Sequence, residues 1–137
     1  MYLIINTAKQ NEIRVAIALG KKIIQKKLKI EFHESEKLLP LLDSLLKENK
    51  IKLKDLKAIF VVVGPGPFTS LRIGITVANT LAFSLNIHVI GFKSEEFSGL
   101  KDIIKKGEKR LVTRRKASFV FPHYGMRPHI TKPKKKC

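Results

Sequence analysis

The chain is poor in tryptophan and in cysteine, the residue whose disulfides stabilise most small secreted proteins. Its 137 residues include no tryptophan and one cysteine, Cys137, which is also the last residue. No disulfide can therefore form within the chain, and no thiol lies beside a base in the sequence. The first residues carry no basic leader, and no run approaches the roughly 20 apolar residues of a membrane span. We expect a protein of the reducing cytoplasm with no membrane partner.

Acidic residues are also scarce, with 11 Asp and Glu against 28 Lys and Arg and a net charge of +17. Roughly +11 of that net charge lies between Lys105 and the last residue, a stretch with 12 basic residues and one acidic residue, Glu108. This composition predicts a domain over residues 1–106 and a basic, partly disordered tail over 107–137. Lysine and arginine in such a tail bind phosphate with strong salt dependence. The candidate RNA contacts are Arg114, Arg115, Lys116, Lys134, Lys135 and Lys136.

The usual groupings of catalytic or metal-binding residues are missing as well. No two of the four histidines have the i, i+4 spacing of metal ligands on one helical face, and no serine stands between glycines as a nucleophile elbow. Asn6 is the last residue of the first predicted strand, where a metal-dependent nuclease or kinase would need a carboxylate. The sequence therefore predicts no catalytic residue, and no metal or cofactor bound by this chain alone. A kinase-like or peptidase-like enzyme is the alternative.

The apolar pattern that is present alternates between the periods of strands and helices. It predicts strands at 2–6, 12–19, 22–32, 58–63 and 87–92, and helices at 35–49, 70–85 and 94–106. Ser35 is the predicted N-cap of the first helix, and Ser70 or Thr69 that of the second. This order is that of a ribonuclease H-like half, the module that actin-like (ASKHA) folds use twice. We predict an α/β fold with a mixed five-stranded sheet, in which most of the second half is missing.

Two of the predicted helices carry more apolar surface than one sheet face requires. Leucines cover over half the circumference of the helix at 35–49, and the helix at 70–85 has a stripe of small residues beside a stripe of larger apolar ones. Together they predict a helix-to-helix interface with a partner. The predicted interface residues are Leu38, Leu39, Leu42, Leu45, Leu46, Ile73, Gly74, Val77, Ala78, Leu81 and Ala82.

A glycine-proline corner, Gly64-Pro65-Gly66-Pro67-Phe68-Thr69-Ser70-Leu71-Arg72-Ile73-Gly74, joins the buried strand at 58–63 to the second helix. Glycine permits backbone angles that are closed to other residues, and proline stiffens the turn. Backbone amides at such a corner bind an anion or lie against a partner backbone. The motif residues singled out here are Gly64, Pro65, Gly66, Phe68, Thr69 and Arg72.

The corner, followed by Val77-Ala78-Asn79-Thr80-Leu81-Ala82, resembles the signature of the TsaB (YeaZ) family. The segment 33–40, with the pattern H-x-S-E-x-L-L-P, Val89-Ile90-Gly91, and a P-x-Y-x-R-x-P-like run at 122–128 extend the resemblance. The chain departs from the family at Asn6 for Asp, Pro67 for Ser, Ser70 for Gly, and Asn79-Thr80 for Lys-Gly. The H-x-x-x-H metal motif of the related TsaD is absent. Because the run at 122–128 matches the family's C-terminal region, we expect an internally shortened member.

This resemblance implies a non-catalytic subunit that dimerises with a TsaD-type threonylcarbamoyltransferase. The complex would form threonylcarbamoyladenosine (t6A) at position 37 of tRNAs decoding ANN codons, aided by a TsaE-type ATPase. ATP and a metal ion would belong to the complex, and the same helices would serve a homodimer when the partner is absent. A basic RNA-binding accessory module is the alternative outside the enzyme class.

Overall fold

The computed structural model describes residues 1–30, 35–113 and 119–123. Within these residues five strands and three α-helices follow one another along the chain. They are β1 (Tyr2–Asn6), β2 (Glu12–Leu19), β3 (Lys22–Lys29), α1 (Leu38–Glu48), β4 (Ala58–Gly64), α2 (Phe68–Leu85), β5 (His88–Lys93) and α3 (Leu100–Thr113). Short 3-10 turns lie at Ser35–Lys37, Leu53–Asp55 and Ser94–Glu96.

The strands form one sheet in the order β3-β2-β1-β4-β5. The first three strands make an antiparallel meander, while β1, β4 and β5 are parallel. Helix α2 is the crossover between β4 and β5. The mixed five-stranded sheet and the α/β class predicted from the sequence are confirmed.

Helices cover both faces of this sheet. On one face α1 and α2 bury a cluster that includes Leu3, Leu45 and Val61. On the other face α3 packs over Phe60 and Phe92, whose rings meet edge to face at 6.0 Å. All seven residues of β4 are buried, as expected of a strand covered on both sides.

Charged contacts fasten α3 to the end of β5. The Arg110 guanidinium stacks 4.3 Å from the centroid of the Phe92 ring and donates to Glu96 Oε2 at 3.0 Å. The Lys93 backbone N–H donates to Glu96 Oε1 at 2.7 Å. This backbone hydrogen bond, followed by the Arg110 contact, lowers the pKa of Glu96 below its ordinary value.

Several predicted boundaries differ from the structure. Helix α2 begins at Phe68 with Pro67 in the N-cap position, so neither Thr69 nor Ser70 caps it. The φ of Pro67, −62°, already suits the start of a helix. The third strand ends at Lys29 rather than at residue 32. The residue at the predicted cap of the first helix, Ser35, instead opens the 3-10 turn before α1.

The domain boundary predicted between residues 106 and 107 falls inside α3, which begins at Leu100 rather than at residue 94 and continues to Thr113. Gly107 lies within α3 and lets this part of the helix pack closely on the core, because a Cβ there would lie 2.4 Å from the Phe60 ring. The remainder of the predicted tail lies outside the described residues, apart from 119–123.

Among the described residues, α2 is the one helix that is long and apolar enough to pass as a membrane span, which the sequence analysis did not predict. Its length and composition alone support that possibility. In this fold Leu71, Ile75 and Ala78 on α2 are buried in the core of the domain. Helix α2 therefore occupies the position of a core helix.

Candidate functional site

The glycines of the corner are occupied by contacts within the chain itself. Gly64 has φ +129°, and a Cβ there would lie 1.9 Å from the carbonyl oxygen of His123. A Cβ on Gly66 would lie 2.3 Å from the carbonyl oxygen of Ala8. A Cβ on Gly74 would lie 2.3 Å from Thr7 Oγ1. The corner is therefore a place where three segments of backbone approach closely.

The loop after β1 packs under the first half of α2. Asn6 Oδ1 accepts a hydrogen bond from the Ala8 backbone N–H at 2.9 Å, so its side chain closes a local turn. Thr7 is fully buried, and its Oγ1 has no hydrogen-bond partner in the described part of the chain. Gly74 of α2 lies against Thr7, so this loop seats α2.

Residues 119–123, which we call the strap, return to the body of the domain beside α2. Asn79 Nδ2 donates to the Val120 carbonyl, and the Val120 N–H donates to Asn79 Oδ1, both at 3.0 Å. The His123 N–H donates to the Val63 carbonyl at 2.7 Å. The Phe119 and Phe83 ring centroids are 6.3 Å apart. The strap thus closes the carboxyl end of β4.

The strap was not predicted from the sequence, although two features of the sequence pointed to it. One was Asn79, where the resembling family has lysine, and the other was the family-like run that begins at Pro122. Asparagine carries both a donor and an acceptor, so one side chain satisfies both backbone groups of Val120. A groove of about 490 Å³ separates α2 from the strap and is lined by Arg72, Thr76 and Thr80 among others.

The structure corrects the predicted partner interface. Seven of its eleven residues are buried within the chain: Leu38, Leu42, Leu45, Leu46, Gly74, Ala78 and Ala82. The helical periodicity of these residues indicated that they are buried, but it did not show that the sheet and the neighbouring helix bury them. The other four are Leu39, Ile73, Val77 and Leu81, which we call the α1-α2 face. Leu39 is 54% exposed, and the rest are half-buried.

The remaining predicted residues are scattered. Pro65, Thr69 and Arg72 are exposed at the corner, and Phe68 is 47% exposed. The candidate RNA contacts, Arg114, Arg115, Lys116, Lys134, Lys135 and Lys136, lie outside the described residues. Across 1–30, 35–113 and 119–123, no three His, Cys, Asp or Glu side chains come together in a group that could hold a metal ion.

Comparisons with known proteins agree with this architecture. A family model described as "TsaD: tRNA N6-adenosine threonylcarbamoyltransferase" matches residues 28–110. The tRNA threonylcarbamoyladenosine biosynthesis protein TsaB of Buchnera aphidicola subsp. Schizaphis graminum is 36% identical over 76 residues, which are 56% of this chain and 36% of that protein. TsaB of Bacillus subtilis is 41% identical over 64 residues, 47% of this chain and 28% of that protein.

A solved structure of YeaZ from Pseudomonas aeruginosa superimposes with a TM-score of 0.63 and 30% identity, covering 67% of this chain and 43% of that one. The chain therefore spans about a third of the curated relatives that it matches. The sheet order and the glycine-proline corner define a Gcp-like domain of the actin-like class. The chain belongs to the TsaD family of Gcp-like domains and, within it, to the TsaB/YeaZ family.

Proposed function

We propose that this chain is a non-catalytic subunit in t6A biosynthesis, where it pairs with a TsaD-type threonylcarbamoyltransferase. The observation that carries the proposal is the match to relatives named for tRNA threonylcarbamoyladenosine biosynthesis. We further propose that the complex works in the cytoplasm on position 37 of ANN-decoding tRNAs with a TsaE-type ATPase, and that ATP and the metal ion are held by the other subunits.

The closed corner supports a non-catalytic role. A phosphate-binding corner needs backbone N–H groups that are open to the ligand. Here Gly64 lies against His123 and Gly66 against Ala8, so own-chain backbone lies where a ligand would approach. Asn6 offers an amide in place of the carboxylate that a metal-bound nucleotide requires, and its oxygen accepts from Ala8.

The α1-α2 face supports pairing through helices. Helices α1 and α2 contact each other; Leu39 on α1 is 54% exposed, and Ile73, Val77 and Leu81 on α2 are half-buried. Exposed apolar side chains at the junction of two helices lose water when another helix docks there, which stabilises the pair. The partner would therefore add helices to this face, and in its absence a second copy of the chain would do so.

Size-exclusion chromatography with light scattering, on this chain mixed with the TsaD-type protein of the same organism, tests the proposal. We expect a 1:1 complex. Leu39→Glu should weaken it at least tenfold, about 1.4 kcal/mol, because a carboxylate would be desolvated in the interface. Leu53→Glu is the matched control, because Leu53 is 38% exposed on the 3-10 turn after α1.

If the folded chain forms no complex with the TsaD-type protein, the subunit role is wrong. If a complex forms and both variants bind equally well, the role stands and the interface lies on another face.

A further inference from the structure

The face of the sheet opposite α1 and α2 is only partly covered. Helix α3 packs mainly over β4 and β5, and Ala16 on β2 is buried on that side, while Gln25, Lys27 and Lys29 on β3 stay exposed. Two adjoining grooves of about 510 and 320 Å³ lie between β3 and the start of α3, and both are lined by Ile23 and Lys101. Arg14 and Gln25 line the first groove, and Lys21 lines the second.

Cations extend from these grooves along the open strand face. Lys27 and Lys29 share that face with Ile23, because side chains alternate along β3, and Lys27 is paired in register with Arg14. We call Arg14, Lys21, Lys27, Lys29 and Lys101 the cationic groove. Its four lysines make no ion pair within the described residues.

The acidic groups in this region already have partners. Glu12 accepts from Arg14 at 3.2 Å, and Asp102 contacts Lys106 at 3.1 Å while accepting from the Ser98 N–H at 3.0 Å. Arg14 Nε is buried and has no hydrogen-bond partner in the described part of the chain. The cationic groove therefore carries positive charge that the nearby carboxylates leave unbalanced.

The dimensions of the cationic groove favour a polymer over a small anion. From Lys21 to Lys29 the chain extends about 26 Å at roughly 3.3 Å per strand residue, farther than one nucleotide reaches. Within residues 1–30, 35–113 and 119–123, no aromatic side chain lines either groove, so these residues offer unpaired bases no ring on which to stack. Lysine and arginine side chains without neighbouring aromatic rings contact the phosphates of a nucleic acid, and such contacts do not read the base sequence.

We propose that the cationic groove binds the phosphodiester backbone of RNA, on the face opposite the proposed partner interface. The names of the relatives, which refer to tRNA, make tRNA the first RNA to test. Lysine on an edge strand such as β3 also prevents unwanted strand pairing. That role does not account for Arg14 on β2 or Lys101 on α3, which line the same groove.

Fluorescence anisotropy with a labelled, unmodified tRNA transcript tests this, using the full chain at several salt concentrations. The groove variant is Lys21→Gln/Lys27→Gln/Lys101→Gln, and the control is Lys9→Gln/Lys54→Gln/Lys57→Gln. The control lysines are exposed, have no ion pair within the described residues and lie outside both grooves. Both variants lose three charges and keep residues 124–137, so only position differs.

We expect the groove variant to bind tRNA at least tenfold more weakly and to flatten the slope of log K against log salt by about two to three, because each phosphate contact contributes about one to that slope. The control should change the slope by less than about one. Equal losses of affinity in both variants would overturn the proposal, since net charge alone would then explain binding.

A DNA duplex that binds more tightly than tRNA would show that the phosphodiester backbone recognised by the groove is not that of RNA. Pairing with the TsaD-type protein should be unchanged in the groove variant, so the two proposals fail separately.

Discussion

At Gly74 the loop after β1 and helix α2 meet without room for a side chain. A Cβ there would lie 2.3 Å from Thr7 Oγ1 and 2.9 Å from Thr7 Cγ2. Thr7 is fully buried and cannot turn away into solvent. The close packing of α2 on the loop therefore requires that residue 74 has no side chain.

Gly74→Ala should destabilise the protein by about 1–3 kcal/mol, because overpacking outweighs the roughly 1 kcal/mol that alanine gains in a helix. The measurement is urea unfolding followed by circular dichroism. Thr7→Ala in the same chain should recover most of the loss, while Gly99→Ala, with no atom within 4 Å of its Cβ, should have little effect. A Gly74→Ala variant as stable as the natural chain would contradict this account.

Single residues also show where sequence reasoning ends. The motif glycines predicted that the corner binds an anion or lies against a partner backbone, and the structure places backbone of the same chain against Gly64 and Gly66 and the Thr7 side chain against Gly74. The sequence could not identify the approaching atoms, since His123 is 59 residues away from Gly64 along the chain. A glycine in the sequence indicates that another part of the protein packs closely there, but it does not show which part.

At the scale of elements, α2 is flanked by α1 on one side and by the strap on the other. Asn79 holds the strap by two hydrogen bonds, and Val120 adds its side chain to the core beneath α2. Buried backbone groups without a partner are costly, so Val120 depends on this one amide side chain.

Asn79→Ala should release the strap while α2 stays folded. Hydrogen exchange should then accelerate at least tenfold at the Val120 and His123 amides, because local opening would cost about 1.4 kcal/mol less. Amides in the middle of β4 should keep their protection. Ser84→Ala is the control, because Ser84 is exposed on α2 and lies outside the groove beside the strap. Unchanged exchange at Val120 in the Asn79 variant would mean that other contacts hold the strap.

The elements themselves were largely predictable, and their surroundings less so. The unbroken apolar run predicted β4, and the alternation of apolar and polar residues predicted β2. Both patterns can be read from the sequence, because burial of a strand determines which of its positions are apolar. The leucines of α1 gave the helix but not its neighbours. Periodicity shows that Leu42 and Leu45 are buried, and it is silent on whether a sheet, a helix or a partner buries them.

At the scale of the whole molecule, charge is the dominant imbalance. The net charge is +17, and the ion pairs within the described residues are all at least partly exposed to solvent and individually weak. Like charges repel more strongly in the compact fold than in the extended chain. Folding therefore takes place against a repulsion that salt can screen.

Raising NaCl from about 20 to about 300 mM should increase Tm by about 3–5 °C, the shift that about 1 kcal/mol produces in a domain of this size. Differential scanning fluorimetry across a salt series measures this. Glucose at equal osmolarity is the control, because it does not screen charge. A Tm that falls with added NaCl would mean that attractive ion pairs outweigh the repulsion.

The family was recognisable from the sequence because several motifs stand in order at family-like spacing. The division of the molecule into a helical face and an open cationic face was not, because it depends on where α3 lies on the sheet. Helix α3 packs mainly over β4 and β5, and no local pattern specifies that placement.

The central position of β1 has a consequence for folding kinetics. The β1-β2-β3 meander and the β4-α2-β5 unit are each built from neighbours in sequence, and the parallel pairing of β1 with β4 joins them. Tyr2 pairs with Ala58 in that ladder, so the pairing must close a loop of more than 50 residues. Local contacts form quickly, whereas closing long loops costs entropy before any contact compensates it. The rate of folding should therefore depend on the meeting of two preformed halves.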